Sequence, residues 1–433
     1  MSNTLKQKIK IKFPWLVDFS HKARGILAYY LNGAPSKALQ VIGVIGTNGK
    51  TTTCYMITAI LEAAGERVGM ASTTSFKVGS KQWTNVSNMT TVNPFFLQRL
   101  LKQMVKEKCR FAVVETTSHA VAQYRNWGIR YQAAAMTNVV HEHLDYHKTF
   151  KEYVQTKARM FSRLPRLAVV NSDDPSAGEF LRYKAGKQLT YSMEKRADVV
   201  ARKILPDRNG TIFTLVLPNT QLTVNHAMVG LFNVSNALCA AAVCWGLGIS
   251  PEAIKKGLES LKSVPGRMEP VEAGQDFTFL IDYAVTPDSL EKLYSTLKPG
   301  ISGRLFAILG SCGDRDRTKR PIMGAVAGRF ADVVIVTDED PYTEDPQAII
   351  EEVAKGVPKG SKTNKMVLGE NFFKILDRRE AIAKAISMAQ RGDLIVITGM
   401  GAQEYKVVQG KKVPWQERAV ILEELAKAGF EKK

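Results

Sequence analysis

The stretch LQVIGVIGTNGKTTT, Leu39–Thr53, decides the fold. Its first half is an apolar run that ends in glycine, the pattern of a strand buried on both faces. A helix-like stretch follows from Lys50 to Ala64, so the segment reads as strand, loop and helix. Gly46 and Gly49 precede Lys50 and Thr51, which lets backbone N–H groups of Gly46, Thr47, Asn48 and Gly49 and the start of the helix surround phosphate oxygens. In such a loop Lys50 holds the terminal phosphates, Thr51 holds Mg2+ and Thr52 continues the helix start. Val44 stands where the strict phosphate-loop pattern has glycine, so the glycine spacing is shorter than usual. The segment therefore points to a nucleoside triphosphate and leaves the reaction open.

Outward from it, apolar runs at Phe111 to Val114, Ala133 to Met136 and Leu167 to Val170 alternate with amphipathic helical segments. That alternation predicts an α/β domain with a mostly parallel sheet. Around Ser263 to Gly274 the chain turns Pro- and Gly-containing without helical periodicity, and strand-like runs resume at Phe277 to Ile281, Leu305 to Leu309, Val333 to Val336 and Leu394 to Ile397. The expected organisation is a helical extension at 1–38, a central nucleotide-binding domain at 39–265 and a second, Rossmann-like α/β domain at 266–433. In the extension, Phe13, Trp15, Leu16, Ile26, Leu27, Tyr30 and Leu31 offer an apolar face, expected to pack on the central domain.

The 433 residues carry 60 Lys and Arg against 41 Asp and Glu, a formal charge of +19. The basic residues are spread along the chain, with local runs at Lys6 to Lys12 and Arg315 to Arg320, which suits a solvated basic surface better than a nucleic-acid site. Five cysteines without a CxxC pair argue against a zinc site and a disulfide framework, and favour a cytoplasmic setting. The N-terminus is a poor signal peptide, because Asp18, His21, Lys22 and Arg24 interrupt its apolar part. The most apolar later stretch, Ala237 to Ile249, is too short to span a bilayer. A monomer without a transmembrane segment is expected.

Two further clusters carry chemistry. ETTSHAVAQYR, 115–125, places Glu115 at the carboxyl end of a strand, where ligands of open α/β sheets gather, and makes it a magnesium candidate or an ordinary polar strand end. TNVVHEHLDYH, 137–147, concentrates His141, His143 and His147 without the H-E-x-x-H order of a zinc protease helix.

Together with YVQTKARMF (153–161), GLFNVSNALCAA (230–241), PGRMEPV (265–271), IDYAVTPDSLE (281–291) and GSCGDRDRTKRPIMG (310–324), these segments resemble the Mur ligase family of peptidoglycan synthesis, most closely its MurE-type UDP-N-acetylmuramoyl-tripeptide synthetases. The resemblance runs from Val41 to the C-terminus. It implies an ATP- and Mg2+-dependent amide ligase that activates a carboxylate of a UDP-linked muramoyl peptide as an acyl phosphate and joins it to an amino acid. Residue by residue it implies that Lys50 and Thr51 bind phosphate and metal, that Glu115 and His143 bind metal, and that Lys157 is carbamylated to help hold it. Asn233 and Asn236 fall near the nucleotide, Arg267 on ATP phosphate and Asp282 on ribose. Thr90, Thr91, Ser118, Gln123 and Arg125 hold the acceptor, while Arg315 and Lys319 face the amino acid and the transferred phosphate.

The chain departs from the family pattern in three places. The phosphate loop arrives without room before it for the usual uridine-binding domain of about a hundred residues. Val285 replaces a histidine of the ribose motif. In place of D-N-P-R, whose arginine clamps the distal carboxylate of diaminopimelate, the chain has Asp338-Glu339-Asp340-Pro341-Tyr342, and Gln403 stands where a glutamate is usual. Diaminopimelate is therefore disfavoured, and a basic amino acid held by Glu339 and Asp340 is expected. A folylpolyglutamate-synthase-like ligase and a nucleotide-binding subunit without turnover are the competing readings.

Overall fold

The computed structural model describes residues 14–87, 89–140, 146–207, 210–360 and 365–430. Strand β1 (Gln40–Ile45) lies in the middle of an eleven-stranded sheet. Alternate residues of a strand point to opposite faces, and here both faces are apolar cores: Ile42 and Val44 enter one, Val41 and Ile45 the other. This is the reason the run has no polar alternation. In chain order the other strands are β2 (Val68–Ala71), β3 (Ser75–Val78), β4 (Lys81–Thr84), β5 (Phe111–Thr116), β6 (Tyr131–Met136), β7 (Leu167–Asn171), β8 (Lys187–Ser192), β9 (Val199–Asp207), β10 (Gly210–Leu217) and β11 (Thr220–His226). The spatial order is β11-β10-β9-β8-β7-β6-β1-β5-β2-β3-β4. The seven strands from β9 to β2 are parallel, as the apolar runs predict, and antiparallel hairpins extend both edges.

Parallel register puts Val44 opposite Glu115, so the carboxyl ends of β1, β5 and β6 meet at one edge. The helix Lys50–Ala63 leaves that edge and packs on Leu231–Gly246 and Pro251–Ser260. Gly257 is needed in the last contact, since a Cβ there would lie 2.3 Å from Ile60 Cα.

A second, six-stranded sheet has the order β12-β13-β17-β14-β15-β16, built from Glu269–Val271, Thr278–Asp282, Leu394–Thr398, Leu305–Leu309, Val333–Thr337 and Phe372–Ile375. All its pairings are parallel except β12 with β13. Apolar cores cover both of its faces. Its loops after β13, β14, β15 and β17 carry Tyr283, Cys312, Glu339 and Gln403, so residues distant in sequence share one sheet edge.

Before the first sheet a helix spans Pro14–Leu31, and its packing face differs from the expected one. Gly25, Ala28 and Tyr29 are buried, whereas Trp15, Leu16, Phe19, Leu27, Tyr30 and Leu31 are exposed. Small residues let the helix backbone approach the Tyr124 carbonyl, 2.5 Å from where a Gly25 Cβ would sit, and that closeness selects the face. Phe13 lies outside the described residues.

Candidate functional site

The loop between β1 and its helix is held open by the neighbouring strand end. Asn48 N–H donates to Asn138 Oδ1 (2.9 Å), and Asn48 O accepts from Thr137 Oγ1 (2.7 Å) and Asn138 Nδ2 (3.0 Å). Gly49 has φ 79°, a left-handed conformation that side chains disfavour. A Cβ there would also lie 2.1 Å from Asn236 Oδ1, which places Asn236 directly against the loop. Asn236 Nδ2 in turn donates to Asn233 Oδ1 (3.2 Å), and Asn233 Nδ2 to Val229 O (2.8 Å). Lys50 Nζ folds back on Thr47 O at 2.6 Å. Thr52 is buried in the first turn.

Glu115 is the centre of the cluster. It is buried, and its carboxylate accepts from Thr51 Oγ1 (3.0 and 3.1 Å), Thr73 Oγ1 (2.9 Å) and Thr73 N–H (2.7 Å). Thr73 Oγ1 also meets Thr90 Oγ1 (3.1 Å), and Thr91 donates to Glu115 O (3.0 Å). Arg267, arriving from the second sheet's side, donates to Thr51 Oγ1 at 3.3 Å and stacks over the Tyr283 ring at 4.5 Å. Asp282 accepts from Met268 N–H (2.9 Å), which pins the turn carrying Arg267. Burial pushes the Asp282 carboxyl up, and the nearby Arg267 charge partly opposes the shift.

Lys157 is 2 % exposed, so it is not the surface lysine that its helix alone would suggest. Its Nζ donates to Gly46 O (2.6 Å) and lies 4.4 Å from the Tyr153 ring centre, beneath the phosphate loop. Tyr153 OH meets Thr47 Oγ1 at 3.1 Å. On the acceptor side, Arg125 donates to Thr91 O (2.6 Å) and, through Nε and Nη2, to Gln123 Oε1 (3.0 and 2.6 Å). Ser118 Oγ pairs with His147 Nε2 at 3.1 Å. His143 and His141 lie outside the described residues.

The second sheet contributes Lys319, whose Nζ donates to Val285 O (2.8 Å), and Arg315, whose guanidinium stands 5.7 Å from the Tyr342 ring centre. Glu339 and Asp340, the expected ammonium-binding pair, are buried and internally engaged. Glu339 accepts from Cys312 Sγ (3.0 Å), and Asp340 accepts from Val407 N–H. Burial raises both carboxyl pKa values; hydrogen bonding to Cys312 in one case and Val407 in the other works against the rise. The adjacent Asp338 pairs with Lys406 (3.0 Å). Gln403 Nε2 reaches Tyr283 OH at 3.5 Å.

Sequence reasoning missed Thr73, Asn138 and Tyr283. The signal for Thr73 was available as a run of hydroxyl residues, Ser72 to Ser75, just after β2. Tyr283 had no comparable signal, because its role depends on Arg267 crossing from a different turn.

Comparison with known proteins fits this arrangement. The family model described as Mur ligase middle domain matches residues 44–244, and Mur ligase, glutamate ligase domain matches 266–401. A UDP-N-acetylmuramoyl-L-alanyl-D-glutamate--2,6-diaminopimelate ligase of Geobacillus thermodenitrificans (strain NG80-2) is 38% identical over 413 residues, 94% of this chain and 82% of that protein. The chain belongs to the Mur ligase family. A UDP-N-acetylmuramyl-tripeptide synthetase of Roseiflexus sp. (strain RS-1) is 40% identical over 93% of this chain and 82% of its own. A solved structure of a diaminopimelate ligase aligns with TM-score 0.64 and 31% identity over 95% of this chain and 84% of its own. Folylpolyglutamate synthase of Mycobacterium tuberculosis aligns with TM-score 0.70 over 95% of both chains at 18% identity, a likeness of fold alone.

This Mur ligase is accordingly an ATP-dependent ligase. The expectation that diaminopimelate is disfavoured is corrected, because relatives of 38 to 40% identity are named for that amino acid. Among the described residues no helix is long and apolar enough to cross a membrane.

Proposed function

We propose that the enzyme extends the peptide of UDP-N-acetylmuramoyl-L-alanyl-D-glutamate by one amino acid, with residues 39–265 and 266–433 acting as two domains around the cluster described above. The observation that carries the proposal is the meeting of Thr51, Glu115 and Arg267: a phosphate-loop hydroxyl, a buried carboxylate and a cation from the turn before the second sheet converge within hydrogen-bond distance.

The donor set fits Mg2+. Thr51 and Glu115 offer hard oxygens, and a magnesium ion takes few protein ligands beside phosphate oxygens and water. Bound there, the ion would neutralise phosphate charge. Lys50, now folded on Thr47 O, swings to the terminal phosphates, and Arg267 faces the same oxygens. An acceptor carboxylate oxygen attacks the γ-phosphorus and ADP leaves; the amine then attacks the acyl carbon, loses a proton and expels phosphate. Lys157 lies beneath the loop, at the position where carbamylation would convert a cation into a carboxylate-like group. Asn233, Asn236 and Asp282 serve the nucleotide, and Thr90, Thr91, Ser118, Gln123 and Arg125 the acceptor. Closure of the two sheets keeps water from the acyl phosphate.

For the amino acid, the relatives named for diaminopimelate favour a substrate with a second, distal ammonium, a class that includes diaminopimelate, lysine and ornithine, taken up beside Arg315, Lys319 and Gln403. Phosphate release with UDP-N-acetylmuramoyl-L-alanyl-D-glutamate and an amino-acid panel, with products weighed by mass spectrometry, tests the reading. An acceptor extended by one diamino acid supports it; turnover confined to neutral amino acids refutes the specificity, and no turnover with this acceptor refutes the substrate.

A further inference from the structure

The helix Pro14–Leu31 has two faces with opposite properties. At about 100° per residue, Gly25, Ala28 and Tyr29 share the face turned to the protein, where Tyr29 meets Trp127 edge-on at 5.4 Å between ring centres. Trp15, Leu16, Phe19, Leu27, Tyr30 and Leu31 share a broad opposite face. Each is between 39 and 67 % exposed, a concentration of large apolar side chains that the ligase chemistry does not use. Isolated exposed apolar residues are ordinary, but six on one helix face mark a surface that meets something.

Charge decides what that is. Exposed Lys22 and Arg24 border the apolar face on either side, and the sequence entering the helix carries Lys6, Lys8, Lys10 and Lys12. Asp18 is the single acidic residue among the first 38. An apolar face with Trp, Phe and Leu, bordered by Lys and Arg, suits a helix lying in the plane of an anionic bilayer, with rings at the headgroup boundary and cations on lipid phosphates. A protein groove would need no basic border, and a second copy would bring like charges together. The length and polarity of the helix exclude a span.

We infer that this helix is a docking surface for anionic phospholipid, which holds the enzyme on a membrane face. The inference is independent of which amino acid the enzyme adds. The protein is sedimented with vesicles of phosphatidylcholine alone and of phosphatidylcholine with about one third phosphatidylglycerol, at low and high salt. At least about tenfold stronger association with the anionic vesicles is expected, weakened by salt. Trp15 fluorescence should be quenched by brominated acyl chains. The Phe19→Glu/Leu27→Glu variant should lose vesicle binding while keeping its thermal unfolding curve and its ATP-dependent turnover, and Lys22→Gln/Arg24→Gln should lose the anionic preference. Equal binding to neutral vesicles, no binding to either, or undiminished binding by the glutamate variant overturns the inference. So does a concentration-dependent dimer that the glutamate variant dissolves, which would assign the face to a second copy.

Discussion

Replacing Gly49 by alanine tests whether the phosphate loop is as constrained as its geometry states. A left-handed conformation costs an L-residue about 1–2 kcal/mol, and at φ 79° the substituted alanine would carry that cost. Its Cβ would also sit 2.1 Å from Asn236 Oδ1, so the amide must leave a low-energy rotamer and weaken its bond to Asn233. That displacement adds about 1–2 kcal/mol, for a total near 3 kcal/mol. If the loop keeps its shape the cost appears as lost folding stability. If the loop relaxes it appears as lost nucleotide affinity, about a hundredfold at 1.4 kcal/mol per tenfold. The sum of the two is the predicted quantity. Urea unfolding and calorimetric titration with ADP measure both parts. In an Asn236→Ala background the collision is gone, so Gly49→Ala should cost only about 1–2 kcal/mol there. An equal cost in both backgrounds, or a sum below about 1 kcal/mol, refutes the reasoning.

Three further expectations concern other parts of the molecule. Lys157→Ala should lower ligase turnover at least about a hundredfold and regain part of it with added short carboxylic acids; an unchanged rate excludes a role for the side chain under the loop. Glu417→Ala should destabilise the second sheet's domain by about 3–5 kcal/mol in chemical denaturation, because Arg378, fully buried, would keep its bonds to Asp338 O and Thr398 O but lose the carboxylate that pairs with its guanidinium; a loss under about 1 kcal/mol would contradict this. Glu352 hydrogen-bonds Arg317 and also Arg320, and these cations hold its carboxyl at about 2, against an ordinary 4.5. A depressed folded-state pKa stabilises above the unfolded value and is lost on acidification, so thermal stability should fall between about pH 4.5 and 2, and less steeply in Glu352→Gln. Parallel pH profiles would show that the pair contributes nothing.

The phosphate loop was legible because it is local: Gly46, Gly49, Lys50 and Thr51 are neighbours in the chain, and a buried strand before a helix is a pattern of apolar periodicity. Glu115 was legible for a similar reason, as the polar end of an apolar run. Lys157 was legible only through the family resemblance, since a lysine in a short helix otherwise reads as solvated until that helix is seen beneath Gly46 O. Glu339 and Asp340 have surroundings that the sequence did not show. Acidic residues in a loop suggest free carboxylates, whereas Cys312 and Val407 N–H, brought from other loops, already occupy them.

Local order belongs to the sequence: strand periods, loop glycines and the succession of motifs determined an α/β nucleotide-binding ligase. Tertiary structure alone decided which distant groups touch. Thr51 meets Arg267 across 216 positions, and Asn48 meets Asp288 across 240, because the phosphate loop at the carboxyl edge of the first sheet packs against the turn before β12 and the helix after β13 of the second. It alone also decided the fate of the first helix. Composition showed aromatics on that segment, but only the close approach of Gly25 to the Tyr124 carbonyl determined that they face outward.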